Sequence, residues 1–231
     1  LPRSPLDSKG RPLLLEFALF AYLFAQPQSD SFQVNTWCVR AFHALEERLG
    51  QDRIFTLGAG DSFHFDGEEY EVLWPKTESY LFDPQLETIL EEWNVLFSSP
   101  FQPECVKRFL DLKEQFLLLY SKCGSAFSIS GRALPEKRRA YLEHLNETLS
   151  ELESLREELS LVPQAHDVRE ALQNPLNAGA YSNMVNGASV VFHNRRVNGP
   201  GEQDILMTGD APPETLLEIM DQLYDGYFIL K

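Results

Sequence analysis

A long helical segment in the middle of the chain constrains its fold more than any other feature. From about residue 84 to residue 174 the apolar residues recur at helical spacing almost without a break, whereas short β-type runs stand before and after this segment. Two small sets of strands that are separated in this way cannot each bury their own apolar face. The sequence therefore predicts one α/β domain interrupted by a helical insertion, rather than two independent domains.

The β-type runs are short and are bounded by turn residues. The turns GAGD and DGEE separate the early runs, and RRVNGPGEQ separates two of the late ones. The predicted strands are Arg53–Leu57, Ser62–Phe65, Tyr70–Trp74, Ala188–His193, Asp204–Met207 and Tyr227–Leu230. We expect residues 53–75 and 188–231 to share one core.

The longest predicted helix of the insertion carries an apolar seam. Its leucines stand at positions 142, 145, 149, 152, 155 and 159. Spacing of three and four residues places them on one side of the helix, and another helix must cover that side. A helical hairpin within the domain and a coiled coil between two chains both meet this requirement. We expect the insertion to pack on the edge of the core and to contribute no metal ligand.

The most apolar stretch of the chain, residues 12–25, is too short to span a membrane. It holds about fourteen residues and includes Glu16, whereas a spanning helix needs about twenty apolar residues. It also lacks the small-residue cleavage pattern of a signal peptide. A buried helix is predicted here, followed by a second helix over residues 36–50 that ends at Gly50.

The charge balance limits the partners of the chain. With 35 acidic and 20 basic residues the formal net charge is −15, and a field of that sign repels a phosphate backbone. This charge argues against broad coating of nucleic acid, but it does not exclude one nucleic-acid site built around basic residues or a metal. Cys38, Cys105 and Cys123 stand far apart, which is typical of free thiols in a reducing compartment. We expect a cytoplasmic protein without a membrane segment.

The candidate site centres on the tripeptide Thr208-Gly209-Asp210, which follows a predicted strand and precedes a predicted helix. Glycine lets the backbone bend sharply at such a point, and loops at strand ends often carry binding and catalytic residues. An aspartate before a helix is also a common N-cap. The tripeptide alone is compatible with either role for Asp210.

Two sequence motifs occupy the β-containing parts of the chain. The first is the stretch GAGDSFHFDGEEYEVLWP, which ends at Pro75; the second is N-x-x-S-V-V-F, a turn, and then D-I-L-M-T-G-D-A. In this order they resemble the hairpin, the serine-led strand and the neighbouring aspartate-ending strand of metallo-β-lactamase-fold hydrolases. The last residues, GYFILK, look like the strand that in this family runs into the final histidine motif. The resemblance covers residues 35–75 and 183–231 and is nearest to the DNA-uptake (competence) and phosphodiesterase branch.

This resemblance implies a fold and a division of the chain. The implied fold is an αββα metallo-β-lactamase-like sandwich, present here in part and interrupted by the long helical insertion. The first part of the core covers residues 1–83, the insertion covers 84–174, and the second part of the core covers 175–231.

The resemblance also implies a metal-dependent hydrolase, namely a nuclease or phosphodiesterase. In this family two zinc ions, with manganese as an alternative, activate water for attack on a phosphodiester. Asp210 is expected to bridge the two ions. Arg195 and Arg196, which lie in the turn that leads to this strand, are the candidate contacts to the substrate phosphates.

The chain departs from the ligand pattern of the family. A His-x-His-x-Asp-His motif supplies most of the family's metal ligands, and no histidine here has that spacing. The five histidines are His43, His64, His144, His166 and His193. Strand alternation predicts that His64 and His193 face solvent or a rim, and no catalytic residue is assigned within this segment by itself.

Two explanations account for the missing motif. In the first, favoured by the absent initiator methionine and by the end at Lys231, the chain is a fragment of a longer nuclease or phosphodiesterase. The remainder of the polypeptide, or a partner chain, then completes the two-zinc site, and nucleic acid is a candidate substrate. In the second, the chain is a non-catalytic metallo-β-lactamase-like scaffold that binds a partner protein through its long helices.

Overall fold

The fold is of mixed α/β type, mostly helical, with one small sheet. The structure is a computed structural model that describes residues 12–24, 57–76, 84–127, 135–196 and 204–230. The predicted helix at 36–50 lies outside the described residues. So does the predicted strand Arg53–Leu57 except for its last residue.

The described elements follow the predicted order of strands, helices and strands. The helices are α1 Leu13–Phe24, α2 Pro84–Leu96, α3 Glu104–Phe127, α4 Pro135–Ser154, α5 Arg156–Ser160, α6 Gln164–Gln173, α7 Pro175–Gly187 and α8 Pro213–Glu218, with a 3₁₀ turn at Met220–Gln222. The strands are β1 Ser62–Phe65, β2 Glu68–Trp74, β3 Val191–Asn194, β4 Ile205–Met207 and β5 Ile229–Leu230.

Helix α1 is buried on almost all sides, as its apolar sequence predicts. A helix that is apolar around its whole circumference must be surrounded by other elements, and ten of its twelve residues are buried. Its aromatic rings stack inside the helical cluster, where Phe17 contacts Trp93 and Tyr181 at centroid distances of 5.2 and 4.8 Å. No helix among the described residues has both the length and the apolar character needed to cross a membrane.

The leucine seam packs within the chain, which confirms the helical hairpin. Leu145, Leu149 and Leu152 on α4 are buried in the same apolar cluster as residues of α1 and α3. The ion pair of Arg108 with Glu151, at 3.0 Å, joins the start of α3 to the end of α4. The two helices therefore run antiparallel.

The apolar cluster of the helices extends past the predicted limits of the insertion. Helices α1 and α7 pack into the same cluster as α2 to α6, although the predicted boundaries at 84 and 174 assign both to the β-containing core. Helix α7 itself was not predicted. Asn174 caps it by accepting a hydrogen bond from the Leu176 backbone N–H, with Pro175 at its first position.

The five strands form one sheet in the order β1-β2-β3-β4-β5. The first four run antiparallel, with a bulge in β2 between Val72 and Trp74. Strand β5 runs parallel to β4, with Leu206 opposite Leu230. The second sheet that a complete sandwich requires is not among the described residues.

One small apolar cluster covers a face of this sheet. It joins Leu73 and Trp74 of β2 to Val191, Leu206 and Ile219. The described parts of segments 53–75 and 188–231 thus share one core, which confirms that prediction. The physical reason is that neither the β1–β2 hairpin nor β3–β5 has enough apolar area by itself.

Candidate functional site

The turn Thr208–Asp210 leaves the sheet at the carboxyl end of β4. Gly209 has φ +56, in the left-handed region that glycine adopts without a steric penalty. The backbone N–H of Ala211 donates to the carbonyl of Thr208 at 3.1 Å and closes the turn. The side chain of Asp210 is exposed beside it.

Asp210 is not the cap of the helix that follows. The N-cap position of α8 is Pro212, and no side chain caps the helix. Within the described part of the chain, the Asp210 carboxylate makes no hydrogen bond or ion pair. The described residues therefore include no structural partner of Asp210 that accounts for an aspartate at this position.

The serine-led strand approaches this turn closely. A Cβ atom placed on Gly209 would lie 3.5 Å from Ser189 Cβ and 3.7 Å from Ser189 Oγ. The segment before Ser189 is held by Trp74, whose indole N–H donates to the carbonyl of Gly187 at 2.5 Å. The β2 strand thus fixes the start of β3 beside the Asp210 turn.

The parallel pairing of β4 and β5 brings a third segment to the same edge. Parallel strands end at the same edge of a sheet, and β4 is followed at that edge by Gly209 and Asp210. The pairs Ile205–Ile229 and Leu206–Leu230 set the register, so the last residue of β5 lies beside Leu206, near the end of β4.

The β1–β2 hairpin is held by hydrogen bonds around a buried aspartate. The Asp61 carboxylate accepts from the Gly58 backbone N–H at 3.0 Å, and the carbonyl of Asp61 accepts from Val72 N–H at 2.9 Å. Gly60 takes φ +87, which suits glycine. Asp61 therefore stabilises a turn.

Arg195 and Arg196 lie at the opposite edge of the sheet from Asp210. They follow β3, which is antiparallel to β4, so they lie beside the start of β4 at Asp204, whereas Asp210 follows its end. The structure does not bring these arginines together with the Asp210 turn.

Both arginines also have partners in the chain. Arg195 pairs with Glu69 at 3.1 Å and with Glu71 at 3.9 Å. The Arg196 guanidinium donates to Asp204 Oδ2 from Nε at 2.8 Å and also from an outer nitrogen, which raises its pKa.

His193 is buried at 3 % exposure, and the prediction that it faces solvent or a rim was wrong. It lies two residues after Val191 and therefore on the same, covered face of β3. This alternation of covered and uncovered positions along β3 could be read from the sequence, and it was the signal that could have predicted the burial of His193. The residues that it contacts, Tyr224 and Tyr227, carried no signal in the sequence because they lie more than thirty positions away.

The other histidines within the described residues are exposed. His64 faces solvent, as the alternation of β1 predicts, and so do His144 and His166 on their helices. His43 lies outside the described residues. Cys105 is a free, half-buried thiol. Nowhere in the described ranges do three His, Cys, Asp or Glu side chains converge in an arrangement that could hold a metal ion.

Comparison with known proteins identifies no relative of this chain. No protein-family model matches it, and neither a curated protein nor a solved structure is significantly similar.

Proposed function

We propose that this chain forms part of a metallo-β-lactamase-type hydrolase that acts on phosphodiesters, with Asp210 as one of its metal ligands. The substrate class includes nucleic acid strands. The proposal combines the two sequence motifs with the arrangement of the strands that carry them.

One observation carries the proposal: three segments of the resemblance meet at one edge of the sheet. The serine-led β3, the turn after β4 and the end of β5 are far apart in the chain but adjacent here, because β3 pairs antiparallel and β5 parallel with β4. Gly209 supplies the bend that frees the Asp210 carboxylate from the sheet. A ligand aspartate requires a carboxylate that is accessible and not engaged by the protein.

The described residues do not by themselves hold zinc. A zinc site needs three or more protein ligands, and the turn offers the single carboxylate of Asp210. The proposal therefore requires ligands from residues that the structure does not describe or that lie outside this sequence. Carboxylate, imidazole and water suit both zinc and manganese.

The substitution Asp210→Asn tests the proposal. It keeps the shape of the side chain and removes the negative charge that favours a divalent cation. In the complete protein, supplied with zinc or manganese, we expect hydrolysis of an activated phosphodiester and of single-stranded DNA to fall at least about 100-fold, since even outer-shell changes at metal sites cost 10–100-fold. The melting temperature should hardly change, because Asp210 has no partner within the described residues.

Asp225→Asn is the matched control. Asp225 is exposed near the other edge of the sheet, and its substitution should leave hydrolysis unchanged. Full activity of the Asp210→Asn protein would overturn the metal-ligand role. A complete protein that shows no hydrolysis with either metal would favour the alternative, a non-catalytic scaffold that binds a partner protein.

A further inference from the structure

Three planar side chains stack at the edge of the sheet opposite Asp210. The ring of Tyr224 lies 4.3 Å from the imidazole of His193, at an interplanar angle of 16°. The guanidinium carbon of Arg196 lies 3.8 Å from the centre of the same ring. Two groups this close to the centre of one flat ring occupy its opposite faces. We call the His193–Tyr224–Arg196 arrangement the tyrosine stack.

Hydrogen bonds fix both tyrosines against β3. Tyr224 donates its hydroxyl proton to the carbonyl of Asn194 at 3.0 Å and accepts from the Arg196 backbone N–H at 3.1 Å. The Tyr227 hydroxyl accepts from the Tyr224 backbone N–H at 2.9 Å and lies 3.0 Å from His193 Nδ1. When the imidazole is neutral and Nδ1 carries no proton, the Tyr227 hydroxyl donates its proton to Nδ1 while it accepts from Tyr224.

The tyrosine stack fastens the last described segment to the sheet. Immediately after the tyrosines, the backbone N–H of Phe228 donates to the carbonyl of Asp204 at 2.7 Å, and β5 then pairs with β4. Strand β5 has two residues, so it can form few backbone hydrogen bonds with β4. Its position beside β4 therefore depends on the contacts that precede it.

We propose that the tyrosine stack is a latch that holds residues 224–230 on the sheet while His193 is neutral and releases them when His193 is protonated. Protonation turns Nδ1 from an acceptor into a donor, so the Tyr227 hydroxyl proton loses its acceptor. It also places a second cation on the ring that Arg196 already covers. The latch involves residues far from Asp210 and does not rest on the function proposed for that residue.

The groups around His193 decide which protonation state the closed latch favours. Burial lowers the pKa of His193 from its ordinary value of 6.5. Among the charged groups that face it, Glu71 on β2 raises the pKa, Arg196 lowers it and Asp204 raises it. Tyr224 and Tyr227 are its uncharged neighbours. Burial is the largest of these effects, so the net direction is downward.

This direction sets the pH range in which the latch opens. In the released state the imidazole is in water and binds a proton more readily than in the closed state. The closed state is therefore fully stabilised above about pH 6.5 and loses stability as the pH falls below that value. The ratio of open to closed chains should rise by up to about tenfold per pH unit until His193 titrates in the closed state.

Amide hydrogen exchange of the complete protein measures this opening. The reporters are the backbone amides of Tyr224 and Phe228, and the amide of Val72, which donates to the Asp61 carbonyl on the far side of the sheet, is the internal reference. Between about pH 7.5 and about pH 5.0 we expect the protection factors of the reporters to fall about tenfold or more, and that of Val72 to stay constant. Protection factors of Tyr224 and Phe228 that stay constant with pH, or an equal fall in the protection factor of Val72, would overturn the proposal.

A double variant and a control variant isolate the histidine. His193→Phe with Tyr227→Phe keeps the stacked rings and removes both the titrating group and its hydroxyl partner, so the pH difference at Phe228 should vanish. His64→Phe removes an exposed histidine of the same sheet and should keep the difference, as should Asp210→Asn. If the protection factor of Phe228 in the double variant still falls by the full amount at low pH, the proposal is contradicted.

A titration of the His193 ring protons by NMR in the unmodified protein gives a second test that depends on no variant. A midpoint below 6.5 is expected, and a midpoint at or above 6.5 would overturn the proposal.

Discussion

The ammonium group of Lys113 lies 2.7 Å from Glu16 Oε1 in the interior of the helical cluster, where the two side chains are 3 % and 1 % exposed. Asn94 completes the network. Its amide nitrogen donates to Glu16 Oε1 at 2.9 Å, and its amide oxygen accepts from Lys113 at 2.7 Å. One polar network thus joins α1, α2 and α3. Because burying two charges is costly, the pair adds little to stability by itself, and we expect it instead to fix how α1 docks.

We expect Lys113→Met to lower the free energy of unfolding by about 3–5 kcal/mol, because it leaves the Glu16 carboxylate buried without a counter-charge. Glu16→Leu combined with Lys113→Met should recover most of this loss, except for about 1–3 kcal/mol from the Asn94 amide that is left without its partners. Urea unfolding measures both.

The exposed ion pair of Lys107 with Glu104 provides the control for this network. Its atoms are 3.8 Å apart and largely solvated, so Lys107→Met should change the stability by less than about 1 kcal/mol. A double variant of Glu16 and Lys113 that is as unstable as the single variant would contradict this account of the buried pair.

Gly209→Ala is expected to destabilise the protein by about 1–2 kcal/mol through its backbone. The added Cβ has room, since Ser189 Cβ lies 3.5 Å away, but a φ of +56 is unfavourable for alanine. Gly209→Asn should cost less, because asparagine tolerates this conformation. Gly179→Ala in α7 should instead stabilise the protein by about 0.5–1 kcal/mol. Thermal unfolding checks this prediction: Gly209→Ala should lower the melting temperature, and Gly179→Ala should raise it.

Trp74→Phe is expected to loosen the start of β3. The ring stays apolar, but the carbonyl of Gly187 loses its donor, at a cost of about 1–3 kcal/mol. Exchange of the backbone amide of Ser189, which donates to the carbonyl of Asn186, should become faster. Trp93 in α2 is an equally buried tryptophan, and Trp93→Phe should leave the exchange rate of the Ser189 amide unchanged. Equal effects of the two variants would show that Trp74 acts through volume alone.

Arg195→Ala and Arg196→Ala should differ in stability. Arg195 is 55 % exposed and forms surface ion pairs, whose loss changes the stability by no more than about 1 kcal/mol. Arg196 neutralises the buried Asp204 carboxylate and covers Tyr224, so its loss should lower the melting temperature more. Neither substitution should change hydrolysis at the Asp210 edge. A selective loss of hydrolysis in the Arg195→Ala protein would show that this residue reaches the substrate after all.

Local periodicity was enough to place several elements correctly. Helix α1 follows from an apolar stretch without a polar face, the β1–β2 hairpin from alternation around the DGEE turn, and the seam of α4 from leucines at three- and four-residue spacing. In each case the residues that define the element are neighbours along the chain. Helix α7 was missed because its asparagines and glycines are weak helix formers, and packing of Tyr181 and Met184 in the helical cluster overrides that weakness.

For the candidate site, too, one part could be predicted from the sequence and another part could not. The sequence alone was sufficient to place Asp210 in a glycine turn between a strand and a helix, because such a turn is a local pattern. The tertiary structure decided which residues surround it: antiparallel pairing of β3 with β4 puts Ser189 beside Gly209 and sends Arg195 and Arg196 to the far edge. It also decided that His193 is buried against Tyr224 and Tyr227, which lie more than thirty positions later in the chain. Strand pairing joins residues without regard to their separation in the chain, and for this reason no local pattern contains that information.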